Sequence, residues 1–117
     1  GAAALRIVRD EVFWPVLTLE RFTTEAAAIA LGNDTTYGLA GAVWTADPAR
    51  AQRVATRLRH GTVWINEYNV YLPEAEWGGF KRSGIGRELG PSGLDEYREA
   101  KHIWENTTPA PSGWVGG

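Results

Sequence analysis

Two short apolar runs, residues 40–45 and 62–66, stand on either side of one strongly signalled helix, and that spacing restricts what the chain can build. Val43-Trp44-Thr45 and Thr62-Val63-Trp64-Ile65-Asn66 are β-branched and aromatic, as strands prefer. Between them Asp47-Pro48 pairs a capping side chain with proline at the first helical position. Ala51, Val54, Ala55 and Leu58 then recur at i, i+3, i+4 and i+7 and form one apolar face. Arg50, Arg53 and Arg57 occupy another face, and Gly61 stands where a helix C-cap glycine belongs. Two strands joined through a helix run parallel, with a right-handed crossover.

The same alternation extends upstream. Pro15 suits a loop before a strand or its first residue, and residues 16–22 read as that strand. Thr23 or Thr24 can cap a helix, and Glu25 favours the positive end of its dipole. The alanine-rich body, 26–31, favours helix and stops at Gly32-Asn33-Asp34. The predicted order is therefore βαβαβ, an α/β parallel-sheet segment. Residues 67–93 form a loop-rich region, 94–101 a short helix, and His102-Ile103-Trp104 a terminal strand. Residues 106–117, rich in Pro, Gly, Thr and Ser, are expected to be an extended tail.

Parallel sheets are normally covered on both faces. Three strands alone leave an edge and a face open, so a missing N-terminal portion or another subunit is expected to cover them. The chain contains no methionine and opens Gly1-Ala2-Ala3-Ala4, which also reads as a piece of something longer. With no cysteine there is no disulfide, thiolate metal site or thiol nucleophile. A net charge of −2 gives no electrostatic footprint for nucleic acid or an anionic membrane. No apolar run reaches a membrane span and no signal pattern opens the chain, so the expected compartment is the cytoplasm.

The run from Gly78 to Gly90, GGFKRSGIGRELG, invites a phosphate-binding reading. A P-loop needs lysine and a hydroxyl directly after its last glycine, and here Lys81 precedes Ser83-Gly84. The dinucleotide fingerprint needs Gly-x-Gly-x-x-Gly after a strand, and Gly84 to Gly90 carries one residue too many. A turn-rich connector that lets backbones approach closely is the better fit. Glu74 and Glu76 read as a solvated pair, and His60 and His102 as solvated or helix-end histidines. No catalytic residue and no metal-ligand set is expected.

Three segments in order carry a resemblance: RDEVFWPV, LGNDTTYGLAGAVWT and WGGFKRSGIGRELG. They resemble the C-terminal part of the catalytic domain of the NAD(P)-dependent aldehyde dehydrogenases, from about Arg6 to Trp104. The resemblance implies residues 1–105 as catalytic-domain segment and 106–117 as tail. It implies Glu11 on the nicotinamide ribose hydroxyls, Phe13 beside the nicotinamide, and Tyr71 and Trp77 on the substrate tunnel. Trp14 departs from the pattern, standing where the family has glycine before Pro15. The nucleophilic cysteine, the base and the cofactor domain lie upstream in the family, so this chain alone is expected to bind neither NAD nor NADP and to be inactive. WINEYNVYLPEAEWGGFKRSGIGRELG with HIWENTTP looks most like the betaine-aldehyde and amino-aldehyde dehydrogenases, whose substrates carry a cationic nitrogen. The family's homo-oligomers imply a second copy as partner. A free-standing, non-catalytic oligomerising module is the alternative, and a nucleotide-binding module using Gly78 to Gly90 a weaker one.

Overall fold

The computed structural model describes residues 5–110 and 113–114. The first four residues and part of the expected tail, 111–112 and 115–117, lie outside the described residues. The elements in chain order are α1 (Arg6–Arg9), α2 (Glu25–Asn33), β1 (Ala40–Val43), α3 (Pro48–Arg57), β2 (Thr62–Ile65) and α4 (Gly90–Asp95). A 3₁₀ turn, Lys81–Ser83, lies in the glycine-rich run.

The β1–α3–β2 unit forms as its spacing predicts. The two strands pair in parallel, from Ala40 opposite Thr62 to Val43 opposite Ile65. Asp47 caps α3, its Oδ1 accepting from the Ala49 N–H at 2.9 Å and the Arg50 N–H at 3.1 Å. Thr24 caps α2 through Oγ1, which accepts from the Ala27 N–H at 3.1 Å. Ile29 of α2 and Ala51 and Val54 of α3 make the small buried core. On the outer side Arg53 grips the Glu25 carboxylate with two bonds of 2.9 and 2.8 Å, and Arg50 adds an ion pair at 3.5 Å.

The end of α2 is tied from three directions. The Asn33 amide donates to the Arg57 carbonyl at 2.9 Å, and its Oδ1 accepts from the Arg59 N–H at 2.7 Å. Lys81 Nζ donates to the carbonyls of Asn33 and Thr35 at 3.2 and 3.0 Å, placing a cation at the negative end of the helix. Arg9 bonds Asp34 Oδ2 at 2.7 Å, which ties α1 to the same corner.

Four expectations need correction. Residues 16–22 and 102–104 are not strands: a strand persists only against a ladder partner, and neither has one among the described residues. The sheet accordingly has two strands rather than three. The last helix is Gly90–Asp95, not 94–101: Pro91 starts it early, and Leu94 and Tyr97 point into solvent with nothing to hold a further turn. Gly61 is not a helix cap, since α3 closes at Leu58 with φ −74°. Gly61 instead lies under the glycine-rich run, where an added Cβ would sit 1.6 Å from the Gly78 carbonyl oxygen.

The arms outside this unit are extended. The radius of gyration is 22.8 Å, against about 13 Å for a compact chain of this length. Accessible surface is 10018 Å², where about 6,300 Å² is usual for this mass. Leu19 at 88% and Trp104 at 82% exposure show where the excess lies: in the arms that lack sheet partners.

Two outcomes follow for the intact protein. Gly61→Ala drives a methyl into the Gly78 carbonyl and costs about 3 kcal/mol. Gly86→Ala, whose Cβ meets only Glu96 at 3.7 Å, stays within about 0.5 kcal/mol, and urea titration of the two variants beside wild type reads both values. The Asp47 carboxyl is held below its ordinary range, first by the Arg50 N–H, with the Ala49 N–H and arginine charges adding to it. A depressed pKa contributes stability above the unfolded value, near 4, and loses it as pH falls through the folded one. The melting-temperature gap between wild type and Asp47→Asn is therefore open at neutral pH and closes below about pH 4.

Candidate functional site

Strand β2 ends in Trp64-Ile65, and the chain turns at once through Asn66, whose φ is +53°. Asn66 holds that turn with its side chain: Oδ1 accepts from the Thr45 N–H at 2.8 Å and Nδ2 donates to the Thr45 carbonyl at 3.0 Å. The loop beyond folds back over Trp64. Tyr71 and Trp77 meet edge-to-face, with centroids 4.6 Å apart and planes at 70°. Trp64 lies 6.2 Å from Tyr71 and 6.1 Å from Trp77, and Tyr68 packs edge-on against it at 5.1 Å. Four aromatic rings thus share one cluster at the carboxyl end of a parallel strand, where α/β sheets bind ligands. Tyr71 remains half exposed and Trp77 is partly buried.

The glycine-rich run frames this cluster. Trp77 and Glu88 exchange both backbone hydrogen bonds at 2.7 Å and close the run into a loop. Inside it Phe80 N–H donates to the Gly38 carbonyl, Arg82 N–H to Thr36, Ser83 N–H to Phe80 and Gly84 N–H to Lys81. These amides are committed to protein carbonyls, so they form no phosphate cradle. Arg87 donates to the carbonyls of Gly79 at 3.0 Å and Gly86 at 2.7 Å and stacks 5.3 Å from the Phe80 ring. The charges of the run that bond here hold the loop together. Trp77 borders an open cleft of about 760 Å³ that also reaches Leu39, Arg87 and Glu96.

Glu11 and Phe13 lie on the N-terminal arm. Glu11 lines a second cleft of about 430 Å³ with Arg9, Tyr37, His60, Arg82 and Ser83. Phe13 is 88% exposed with φ +56°, a conformation that bulky residues rarely adopt. Trp14, next to it in sequence, is also exposed. Tyr71 and Trp77 come together, whereas Glu11 lines the second cleft, which shares Leu39 and Ser83 with the first.

Among other groups, Glu76 is exposed, as expected, and its carboxylate also accepts from Ser92 Oγ at 3.1 Å. Its pKa is drawn down by its own N–H and then by Ser92. His60 is half-buried against Gly41, and its Nδ1 has no hydrogen-bond partner among the described residues. Burial, then the Lys81 charge, pushes its pKa down and keeps the ring neutral. Trp64 and Tyr68 join the cluster although only Tyr71 and Trp77 were expected there. The signal available was the recurrence of aromatics at 64, 68, 71 and 77 around a predicted strand end.

Known proteins resemble this chain in sequence and in fold. The model of the aldehyde dehydrogenase family matches residues 2–103. The betaine aldehyde dehydrogenase of Bacillus subtilis (strain 168) is 58% identical over 110 residues, which is 94% of this chain and 22% of that protein. The peroxisomal aminoaldehyde dehydrogenase 1 of Pisum sativum is 47% identical over 111 residues, again covering 22% of its length. The crystal structure of betaine aldehyde dehydrogenase from Staphylococcus aureus in complex with NAD+ superposes with a TM-score of 0.93 at 55% identity. That match covers 98% of this chain and 23% of that one. The chain thus spans about a fifth of the length of the relatives it matches, and it belongs to the aldehyde dehydrogenase family.

Proposed function

We propose that this chain is the C-terminal catalytic-domain segment of an NAD(P)-dependent dehydrogenase that oxidises a cationic aldehyde, betaine aldehyde or an amino-aldehyde, to its acid. The observation that carries the reading is the ring pair Tyr71–Trp77, edge-to-face at 4.6 Å, with Tyr71 half exposed and Trp77 bordering an open cleft. Aromatic faces attract a quaternary or protonated nitrogen electrostatically, by about 0.5–2 kcal/mol per good contact. In that role the two rings bind the cationic end of the substrate and exclude water from it. They orient the aldehyde carbon toward a nucleophile supplied by the rest of the enzyme. The betaine and aminoaldehyde dehydrogenases among its relatives support the substrate class.

The nicotinamide cofactor, when bound, supplies the hydride acceptor. The residues present fit it. The Glu11 carboxylate opens onto a cleft of about 430 Å³, so it is free to accept two ribose hydroxyl hydrogen bonds. The exposed Phe13 offers its ring to a planar partner outside these residues. This chain has no cysteine, so the thiolate that attacks the carbonyl and the base that activates water for hydrolysis come from the remaining sequence. The same remainder, or a second copy in a homo-oligomer, covers residues 16–22 and 102–104, supplying the strand partners they lack. By itself the chain is inactive.

The test is the intact enzyme assayed with NAD or NADP on betaine aldehyde, an amino-aldehyde and simple neutral aldehydes. Oxidation of the cationic substrates at higher kcat/KM is expected, and absence of turnover on every aldehyde would sink the proposal. Trp77→Ala raises KM for betaine aldehyde by about 2- to 30-fold, the range of one cation–π contact. Glu11→Gln weakens the cofactor about tenfold and leaves the aldehyde KM in place. If Glu11→Gln and wild type show equal cofactor KM, the ribose role is wrong.

A further inference from the structure

Trp64 occupies the centre of the aromatic cluster without being either of the rings assigned to the substrate. It lies on β2, opposite Ala42 in the ladder. Its indole Nε1–H donates to the Val70 carbonyl at 3.0 Å. That bond spans six residues and closes the loop between β2 and Tyr71. The loop makes two left-handed turns at non-glycine residues, Asn66 at φ +53° and Asn69 at +63°. Such conformations cost free energy and persist only where surrounding contacts hold them. The bond from Trp64 is applied directly before Tyr71, whose hydroxyl in turn donates to Asn69 Oδ1 at 2.9 Å. The indole ring also backs Tyr71 at 6.2 Å and Trp77 at 6.1 Å, so it limits how the two rings can turn.

We propose that Trp64 is a positioning residue: by bonding Val70 and backing both rings, it sets the angle of Tyr71 to Trp77 and so determines preference for a cationic over a neutral aldehyde. This inference rests on the cationic-aldehyde reading above. The physical reason is directional. A cation is attracted to a ring face and not to its edge, whereas a neutral alkyl group gains similar contact from either. Loosening Tyr71 therefore costs the cation more than the alkyl group.

The experiment uses the intact enzyme and two aldehydes of the same shape, betaine aldehyde and its neutral carbon analogue 3,3-dimethylbutanal. The readout is the ratio of their kcat/KM values. A merely structural loss lowers both values and leaves the ratio unmoved. Trp64→Phe, which keeps a ring and removes the N–H, is expected to lower the ratio about fivefold, with the KM for NAD unchanged. Trp64→Tyr is the second variant where Trp64→Phe does not accumulate, and a fall in ratio is expected there too. Because Trp64 acts through Tyr71, Trp64→Phe is expected to change the ratio less than twofold in a Tyr71→Leu background. A ratio that holds in both Trp64 variants overturns the inference alone, as does full additivity with Tyr71→Leu. A wild-type enzyme without preference for the cation removes the cationic-aldehyde reading and this inference with it.

Discussion

One carbonyl joins the parts of this chain that matter. Gly38 O accepts from the Gly61 N–H at 2.9 Å and from the Phe80 N–H at 2.8 Å. Three backbones meet there: the approach to β1, the entry to β2 and the glycine-rich run. The meeting is possible only because Gly38 and Gly61 carry no side chains. Gly38 is buried, and a Cβ on it would lie 2.6 Å from the Arg59 carbonyl oxygen. Gly61 has the Gly78 carbonyl where its Cβ would be, and Gly78 has the Gly86 carbonyl at 2.4 Å from its own. Close backbone approach is one of the two reasons a chain uses glycine; unusual dihedrals are the other. Here the first dominates, and Gly84 and Gly90 with positive φ supply the second.

This joint has a consequence for the site. It fixes the run that carries Trp77 against the start of the strand that carries Trp64. The Trp77–Glu88 bridge then closes the run, and Lys81 pins it to the end of α2. Rings that belong to residues thirteen positions apart are thereby held about 6 Å from one another. A binding surface built on such supports holds its geometry better than one on a free loop. The glycine-rich run thus serves recognition indirectly, as a frame for aromatic side chains rather than as a cradle for phosphate.

Much of this was legible locally. Asp47-Pro48 caps the helix it was expected to cap, and of the two candidates Thr23 and Thr24 the second caps α2, since capping is a contact between near neighbours. The β1–α3–β2 unit was legible for the same reason: its helix face, its strand runs and its crossover lie within 26 residues, Ala40 to Ile65. What was misread depends on distant partners. Residues 16–22 and 102–104 have strand-like composition, but a ladder needs a second strand that local pattern cannot supply. Gly61 looks like a helix cap by position and is a contact with Gly78 across the fold. Trp64 reads as an ordinary strand residue until the loop returns over it. Glu11, Phe13, Tyr71 and Trp77 were reached through resemblance, and the geometry groups the last two only.

The central claim is that Tyr71 and Trp77 present their faces to a cationic group. A crystal structure of the intact enzyme with betaine, the proposed product, tests it most directly. The account predicts the quaternary nitrogen within about 6 Å of both ring centroids, over their faces. Betaine bound with its nitrogen on other groups, and these two rings touching only protein, would contradict it.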